Sequence, residues 1–516
     1  MKSIYIKSIL LAIVLTTFSC ETIDTNLTED PSNQGADEAT LEFLINASQI
    51  GLVDYFEDLQ FFNAQVSRME LMRNSPFYTN QFTTDTFDES WINAYADCLV
   101  EIQQLKEIAS GIEDEEVNAN NIIAMAQIME AYVIISLVDT FGDVPYTEAL
   151  QGGENLAPGR DSGKEIYVDA IALLQNSINL IDAGGSVNIP SDLYYDGDEE
   201  KWRALANSLL LKAIVQSRLE SYDNIDANAI INSIIDNGGF ISNNNGDFQF
   251  DWSVEAEPES RHPLFTAQYI AGASLYMSEP WIRRMEDDPR FNYYFYLQNG
   301  EIFGREHGDA GPNVAFEFPN ITVHGLYPVG GKYNDGTTGP TNASMGAAGA
   351  GASIIMTQAF SWFYIAEAEL MMNNDPVAAR NAYEAGIQAS MDKVTNFRPS
   401  AVPSGEGATS TEINDYIAEA LQRYDDAAGT DAKLNEIITE FYKAAWGNGF
   451  EVYNNLRRTS YPDDLAPSIV SDPGTFTYTM YYPAIYVNNN SNPDAQQKSI
   501  AEKAWWAQST SFNLDY

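Results

Sequence analysis

Residues 131–150 read AYVIISLVDTFGDVPYTEAL. Traced back to Val117, the segment carries Ile122, Met125, Met129, Tyr132, Val133 and Leu137 at helical spacing. Phe141-Gly142-Asp143-Val144-Pro145 then ends the helix, because Gly tolerates conformations closed to other residues and Pro cannot donate an N–H. A helix this apolar must be buried, so the chain is expected to build its core from helices packed on helices. The same period recurs at Gly163–Asp182, Glu199–Glu220 and Ala227–Asp236, and again at Ser353–Met372, Pro376–Ser390, Thr411–Tyr424 and Asp431–Trp446. The fold class is therefore all-α. Within 353–390, Ala366, Ala368, Ala378, Ala379, Ala382 and Ala385 permit close helix pairing of a tetratricopeptide-like kind, although no clean 34-residue self-similarity is present. Strands are expected only in short pieces, Phe248–Trp252 and Ile321–His324.

Residues 240–350 differ in kind. They are rich in Asn, Gly, Pro and aromatics and lack helical period, so they read as a long insertion on the helical scaffold. Gly346–Gly351 (GAAGAG) is expected to be a flexible connector. The N-terminus reads as a targeting segment: Lys2 and Lys7 precede an apolar run, Ile9–Thr17, too short to span a bilayer of ~30 Å hydrocarbon. Phe18-Ser19-Cys20 follows, as in a bacterial lipoprotein signal in which Cys20 is lipidated. The expected organisation is a signal peptide over 1–19, an acidic surface tether over 20–36 and a single domain over 37–516. Cys98, the only other cysteine, has no partner for a disulfide and is expected to be a buried, unreactive thiol.

Lys plus Arg number 27 against 74 Asp plus Glu, a formal net charge of −47. That field repels phosphate backbones and anionic lipid surfaces, which excludes sequence-independent nucleic-acid binding and polybasic membrane adhesion. Membrane attachment is left to the lipid anchor.

Several segments together resemble the SusD/RagB family of nutrient-binding outer-membrane lipoproteins, on its starch-binding-associated branch. They are AYVIISLVDTFGDVPYTEAL (131–150), KWRALANSLLLKAIVQS (201–217), Asp288-Pro289-Arg290, TQAFSWFYIAEAEL (357–370), NAYEAGIQAS (381–390) and NLRRTSYP (455–462), in the family's order. The resemblance implies tetratricopeptide-like helix pairs on one side and an irregular ligand-binding half. It also implies a SusC-like TonB-dependent transporter as partner, surface exposure at the outer membrane, and capture of oligosaccharide or polysaccharide without cleavage.

A sugar site needs aromatic faces for C–H patches and planar polar groups for hydroxyl pairs. The aromatic candidates in irregular segments are Tyr78, Trp252, Tyr276, Trp281, Tyr327 and Tyr333, with Asn80, Asp251 and Asn334 beside them as hydroxyl partners. Trp202, Trp362, Trp446, Trp505 and Trp506 read as structural. No catalytic motif, metal site or cofactor site is expected. His262, His307 and His324 lack zinc spacing, and Gly159–Glu165 only mimics a phosphate loop. Asp192, Asp196 and Asp198 are read as leading into a helix start rather than as a calcium loop. The expected ligand is a neutral glucan. A peptide or other nutrient on the same scaffold is the alternative, and a surface glycoside hydrolase ranks below both.

Overall fold

The computed structural model describes residues 40–507 apart from 73–77, 113–118, 185–191, 310 and 313. The signal segment, Cys20 and the tether lie outside the described residues. Helices of eleven or more residues are numbered in chain order. The N-terminal set is α1 Leu41–Val66, α2 Val100–Ser110, α3 Asn120–Phe141, α4 Gly163–Asp182, α5 Glu199–Gln216 and α6 Ala227–Asn237. The C-terminal set is α7 Gln358–Met371, α8 Pro376–Thr395, α9 Ser410–Asp426, α10 Gly429–Ala444 and α11 Gly449–Thr459. Consecutive helices pack as pairs, α3 on α4 and α7 on α8, and α1 lies against α2 and α11. The pairing in α7–α8 depends on Gly386, where an added Cβ would sit 3.0 Å from the Phe363 ring.

The 131–150 segment behaves as its residues require. α3 is apolar and long enough to cross a membrane, yet it is a core helix, with 89% of its most apolar window buried. Gly142 ends it at φ 80°. Asp143 Oδ1 then accepts the Gly163 N–H at 2.8 Å, and Asp161 Oδ2 accepts those of Tyr146 and Thr147 at 2.9 Å each. The turn thereby supplies one orphan donor at the start of α4, the Gly163 N–H, with an acceptor.

Among the described residues, four short strands form two pairs. β1 (Phe248–Asp251) runs antiparallel to β4 (Ala352–Met356), and β2 (Phe295–Leu297) antiparallel to β3 (Thr322–His324). This corrects the helix expected to start at Ser353. Residues 352–356 are fully buried with a β-branched Ile pair, which suits a strand, and Thr357 caps the helix that follows. The stretch 240–350 has a small core of its own, built on Phe265, Tyr269, Tyr276, Tyr296, Val323 and Val329. Gly346–Gly351 is not a flexible connector. A Cβ at Gly346 would lie 1.7 Å from the Gly331 carbonyl oxygen, and the N–H groups of Ala347 and Gly349 both donate to Gly330 O at 3.1 Å.

The charged residues of the sequence motifs are scaffold. Arg290 is fully buried and holds Asp288 through two hydrogen bonds of 2.8 and 2.7 Å, with Glu440 at 3.3 Å and Ser390 at 2.8 Å. The Arg290 guanidinium, with Lys443 nearby, overcomes burial and holds the Asp288 carboxyl down to about 2. Arg458 pairs with Glu367, which also accepts from Arg218 at 2.8 Å. Asp139 accepts from Tyr167 of α4 (2.5 Å) and ties α3 to the C-terminal half through Asn454 (2.7 Å) and Trp506 (2.9 Å).

Candidate functional site

α1 shows one face to a cleft. Asp54, Glu57, Asp58, Phe61, Phe62 and Gln65 stand at i, i+3, i+4, i+7, i+8 and i+11, so they share a stripe. Opposite them lie Pro263, Leu264 and Leu275 of the irregular region. The cleft has two lobes of about 440 and 260 Å³, which meet at Phe61, Phe62 and Leu275. Both are concave and part-apolar, as small-ligand sites are.

Each wall is positioned by local packing. Gly51 lets α1 lie against the π-helical segment Asn93–Leu99, for a Cβ there would be 2.1 Å from the Asp97 carbonyl oxygen. That approach brings Asn93 Nδ2 within 2.8 Å of Asp58 Oδ2. Phe62 is clamped edge-on by Phe82 at 5.5 Å and Phe87 at 5.4 Å. Phe61 is half-buried, touches the same cluster only at its margin, and lines both lobes. In the smaller lobe Gln81 Nε2 donates to Gln65 Oε1 at 3.1 Å.

The electrostatics are one-sided. No Lys or Arg lines either lobe among the described residues. Burial pushes the Glu57 carboxyl up to about 7, against hydrogen bonds from Ser353 and Gln60. Burial, with Glu89 and Asp54 nearby, pushes Asp58 up to about 6. Burial and Asp97 raise Asp54 as well. Near neutrality this wall therefore holds both protonated and ionised carboxyls, which can donate to and accept from hydroxyls. His262 Nε2 lies 3.8 Å from Glu57, but burial pushes the imidazole down to about 3, so it supplies no charge.

Trp252 packs beside His262 and lines neither lobe. Its Nε1 donates to Ser353 Oγ at 2.7 Å, and its half-buried ring lies 6.1 Å from that of His262. Phe250 at 5.0 Å and then Tyr194, 6.0 Å beyond Phe250, extend a half-exposed aromatic row from it. Tyr276 lines the smaller lobe with its edge, since Arg305 covers its ring at 4.5 Å and its hydroxyl donates to Glu317 at 2.5 Å.

The remaining expected platforms are corrected. Tyr78, Trp281, Tyr327 and Tyr333 are 1–2% exposed, with protein against their rings. Phe476 lies 5.4 Å from Tyr78, Trp446 5.6 Å from Trp281, Tyr294 5.6 Å from Tyr327 and Tyr293 4.9 Å from Tyr333. An irregular segment without long ladders holds together by burying its rings, and these rings serve that purpose. Asn334 is tied to Asn292 at 2.9 Å, and exposed Asp251 to Arg398 at 2.9 Å, neither in the cleft. The side chain of Asn80 lies outside the described residues. Asp198 caps α5 by accepting from the backbone of Glu200 and Lys201, while buried Asp192 accepts from Gln49 and Trp202, both at 2.8 Å. Cys98 is buried and its thiol is pushed up by desolvation, as an inert thiol should be.

A family model described as SusD-like, starch-binding associating with outer membrane, matches residues 32–483. The chain belongs to the SusD-like family. Solved structures agree on the fold. A SusD/RagB family protein from Bacteroides thetaiotaomicron superposes with a TM-score of 0.71 at 18% identity, covering 91% of this chain and 99% of that one. A chitin-binding protein gives 0.69 at 21% identity, with 91% and 100% covered. A chitin-binding SusD homologue from Flavobacterium johnsoniae gives 0.65 at 19% identity, with 90% and 99% covered. No curated protein sequence matches the chain. As a SusD-like protein it joins a family of binding proteins associated with the outer membrane.

Proposed function

We propose that this SusD-like protein is a surface-exposed lipoprotein, anchored through Cys20, that captures a neutral oligosaccharide in the α1 cleft. It hands that ligand to a SusC-like TonB-dependent transporter. The observation that carries the reading is the cleft itself: the face of Phe61 beside carboxyls and amides that match hydroxyls, with no Lys or Arg lining it among the described residues. A uronate or sulfated chain would meet uncompensated repulsion there, so the ligand is neutral and glucan is the expected class. The family's description as starch-binding and the printed names of two chitin-binding neighbours support a glycan of this kind.

The protein holds its ligand without cleaving it. Asp54, Glu57 and Asp58 share the α1 wall of the cleft, and Glu89, the fourth carboxyl of its lining, lies near Asp58. A hydrolytic carboxyl pair flanks the bond from two sides of the sugar. The test is calorimetry with gluco-oligosaccharides, chito-oligosaccharides and an oligouronate, followed by analysis for new reducing ends. Neutral chains should bind and stay intact. Binding confined to the uronate, or release of shorter sugars, would refute the reading. Co-purification of the lipidated protein with a TonB-dependent transporter tests the partner.

A further inference from the structure

The larger lobe of the cleft holds one carboxylate whose orientation is set from outside its own helix. Asn93 opens the π-helical segment Asn93–Leu99, which runs into α2. A π turn fits one more residue into a helical turn and is frequent at functional sites. Here it sets Asn93 against α1, where Nδ2 donates to Asp58 Oδ2 at 2.8 Å. Asn93 and Asp58 both line the lobe, and Phe61 stands three residues on from Asp58, on the same stripe.

The other groups that face Asp58 are acidic or uncharged. Asp54 and Glu57 flank it on α1, and Glu89 approaches from the short helix Asp88–Ile92. Asp97 belongs to the π-helical segment and acts on Asp54. Across the lobe, Pro263, Leu264, Ala267 and Leu275 carry no charge, and His262 is neutral. Against burial and the nearby acids, the Asn93 amide is the group that favours the ionised form of Asp58, which is held at about 6. At neutral pH Asp58 is therefore mostly a carboxylate, which only accepts. Its Oδ1 takes no hydrogen bond from the described residues and stays open to solvent. The ligand atom that meets it must carry a hydrogen, as a sugar hydroxyl does.

We infer that Asn93 is a positioning residue for the ligand: by holding Oδ2 of Asp58 it presents Oδ1 as the acceptor of a hydroxyl on the sugar unit that lies against Phe61. This deepens the reading of the cleft as a glycan site and rests on it.

The test is the pH profile of oligosaccharide affinity, measured by calorimetry on the full chain carrying Glu57→Gln, which removes the other carboxyl that titrates near neutrality. Affinity should be high above about pH 6 and fall as Asp58 takes a proton below it. Adding Asn93→Ala removes the bond that favours the ionised form, so the midpoint of that fall should rise by about one pH unit, as one hydrogen bond to a charged group allows. At pH 6 the double variant should then bind about fivefold more weakly than Glu57→Gln alone, and near pH 8.5 the gap should narrow. A purely structural role would lower affinity alike at every pH, and an unshifted midpoint would overturn the inference. Asp58→Asn in the same background removes a charge that burial opposes, and does not depend on how Asn93→Ala folds. It should abolish the fall below pH 6, and a fall that persists at the same pH would overturn the inference too. Absence of oligosaccharide binding to the wild type at every pH would overturn the cleft reading, and this role with it. Binding with an unshifted midpoint would overturn the role of Asn93 alone.

Discussion

Glu57→Gln should make the protein more stable above neutral pH, although it removes a residue from the candidate site. Burial raises the Glu57 carboxyl from 4.5 to about 7, so the folded state holds this proton more tightly than the unfolded chain does. The associated stability is complete below pH 4.5 and is lost as pH rises through about 7. The side chain is 9% exposed, so solvent screening does little to reduce the effect. At about 1.4 kcal/mol per pH unit, the shift corresponds to about 3 kcal/mol of strain on the ionised form, as an upper bound. Gln carries no charge to desolvate and still offers an amide to Gln60 and to a sugar hydroxyl. Urea unfolding of both proteins, on chains lacking the lipid, at about pH 4.5 and pH 8.5 measures this directly. The variant should match the wild type at the acid end and exceed it by up to ~3 kcal/mol at the alkaline end. Equal stability at pH 8.5, or a less stable variant there, would refute the claim that Glu57 is held against its ionised form. Asp58 and Asp54 keep a residual slope in the variant, because both are raised too.

Three further outcomes are expected. Phe61→Ala should weaken oligosaccharide binding about tenfold by calorimetry with little change in melting temperature, since the ring is half-buried and offers a face to the cleft. Arg290→Met should cost roughly 3–5 kcal/mol in urea unfolding, because Asp288 and Glu440 lose a buried cation they share; a loss below about 1 kcal/mol would show that the network is relaxed by water. Gly51→Ala should push α1 off the 93–99 segment, costing about 1–3 kcal/mol and separating Asn93 from Asp58, so both stability and sugar affinity should fall. Lost affinity at unchanged stability would contradict that coupling.

The helical scaffold was legible in the sequence because burial of one face imposes a period that survives in any single chain. Gly163–Asp182 was read to the residue, and most other helices to within a few. The motif residues were legible for a related reason: Arg290, Arg458 and Glu367 are buried charges, and a buried charge requires its partner. The site was less so. Phe61 and Phe62 lie on a helix, where an aromatic pair reads as core, and nothing in the composition of α1 sets it apart from the other helices. Among the expected aromatics, the edge of Tyr276 reaches the cleft, while Tyr78, Tyr327 and Tyr333 fill the interior and Trp252 lines neither lobe. The signal that could have located the cleft is the outward stripe Asp54, Glu57, Asp58, Phe61, Gln65, in which carboxylates share a helical face with an aromatic. The strand at 352–356 was missed because a short buried apolar run has no distinguishing period.

The composition of α3 has a meaning before the protein folds. On the proposed surface location the chain crosses a membrane unfolded, and this segment then enters the translocation machinery with hydropathy high enough to stop there. Only two of its residues are charged, Glu130 and Asp139. An acid at the centre of a spanning helix costs about 2.5–3.5 kcal/mol on insertion, less toward its ends. Asp139, which in the finished protein joins Tyr167, Asn454 and Trp506, would earlier help Glu130 keep the segment moving into the aqueous compartment. One carboxylate thus acts on two folding problems in succession, first against the wrong solvent and then as the tie between halves of the core.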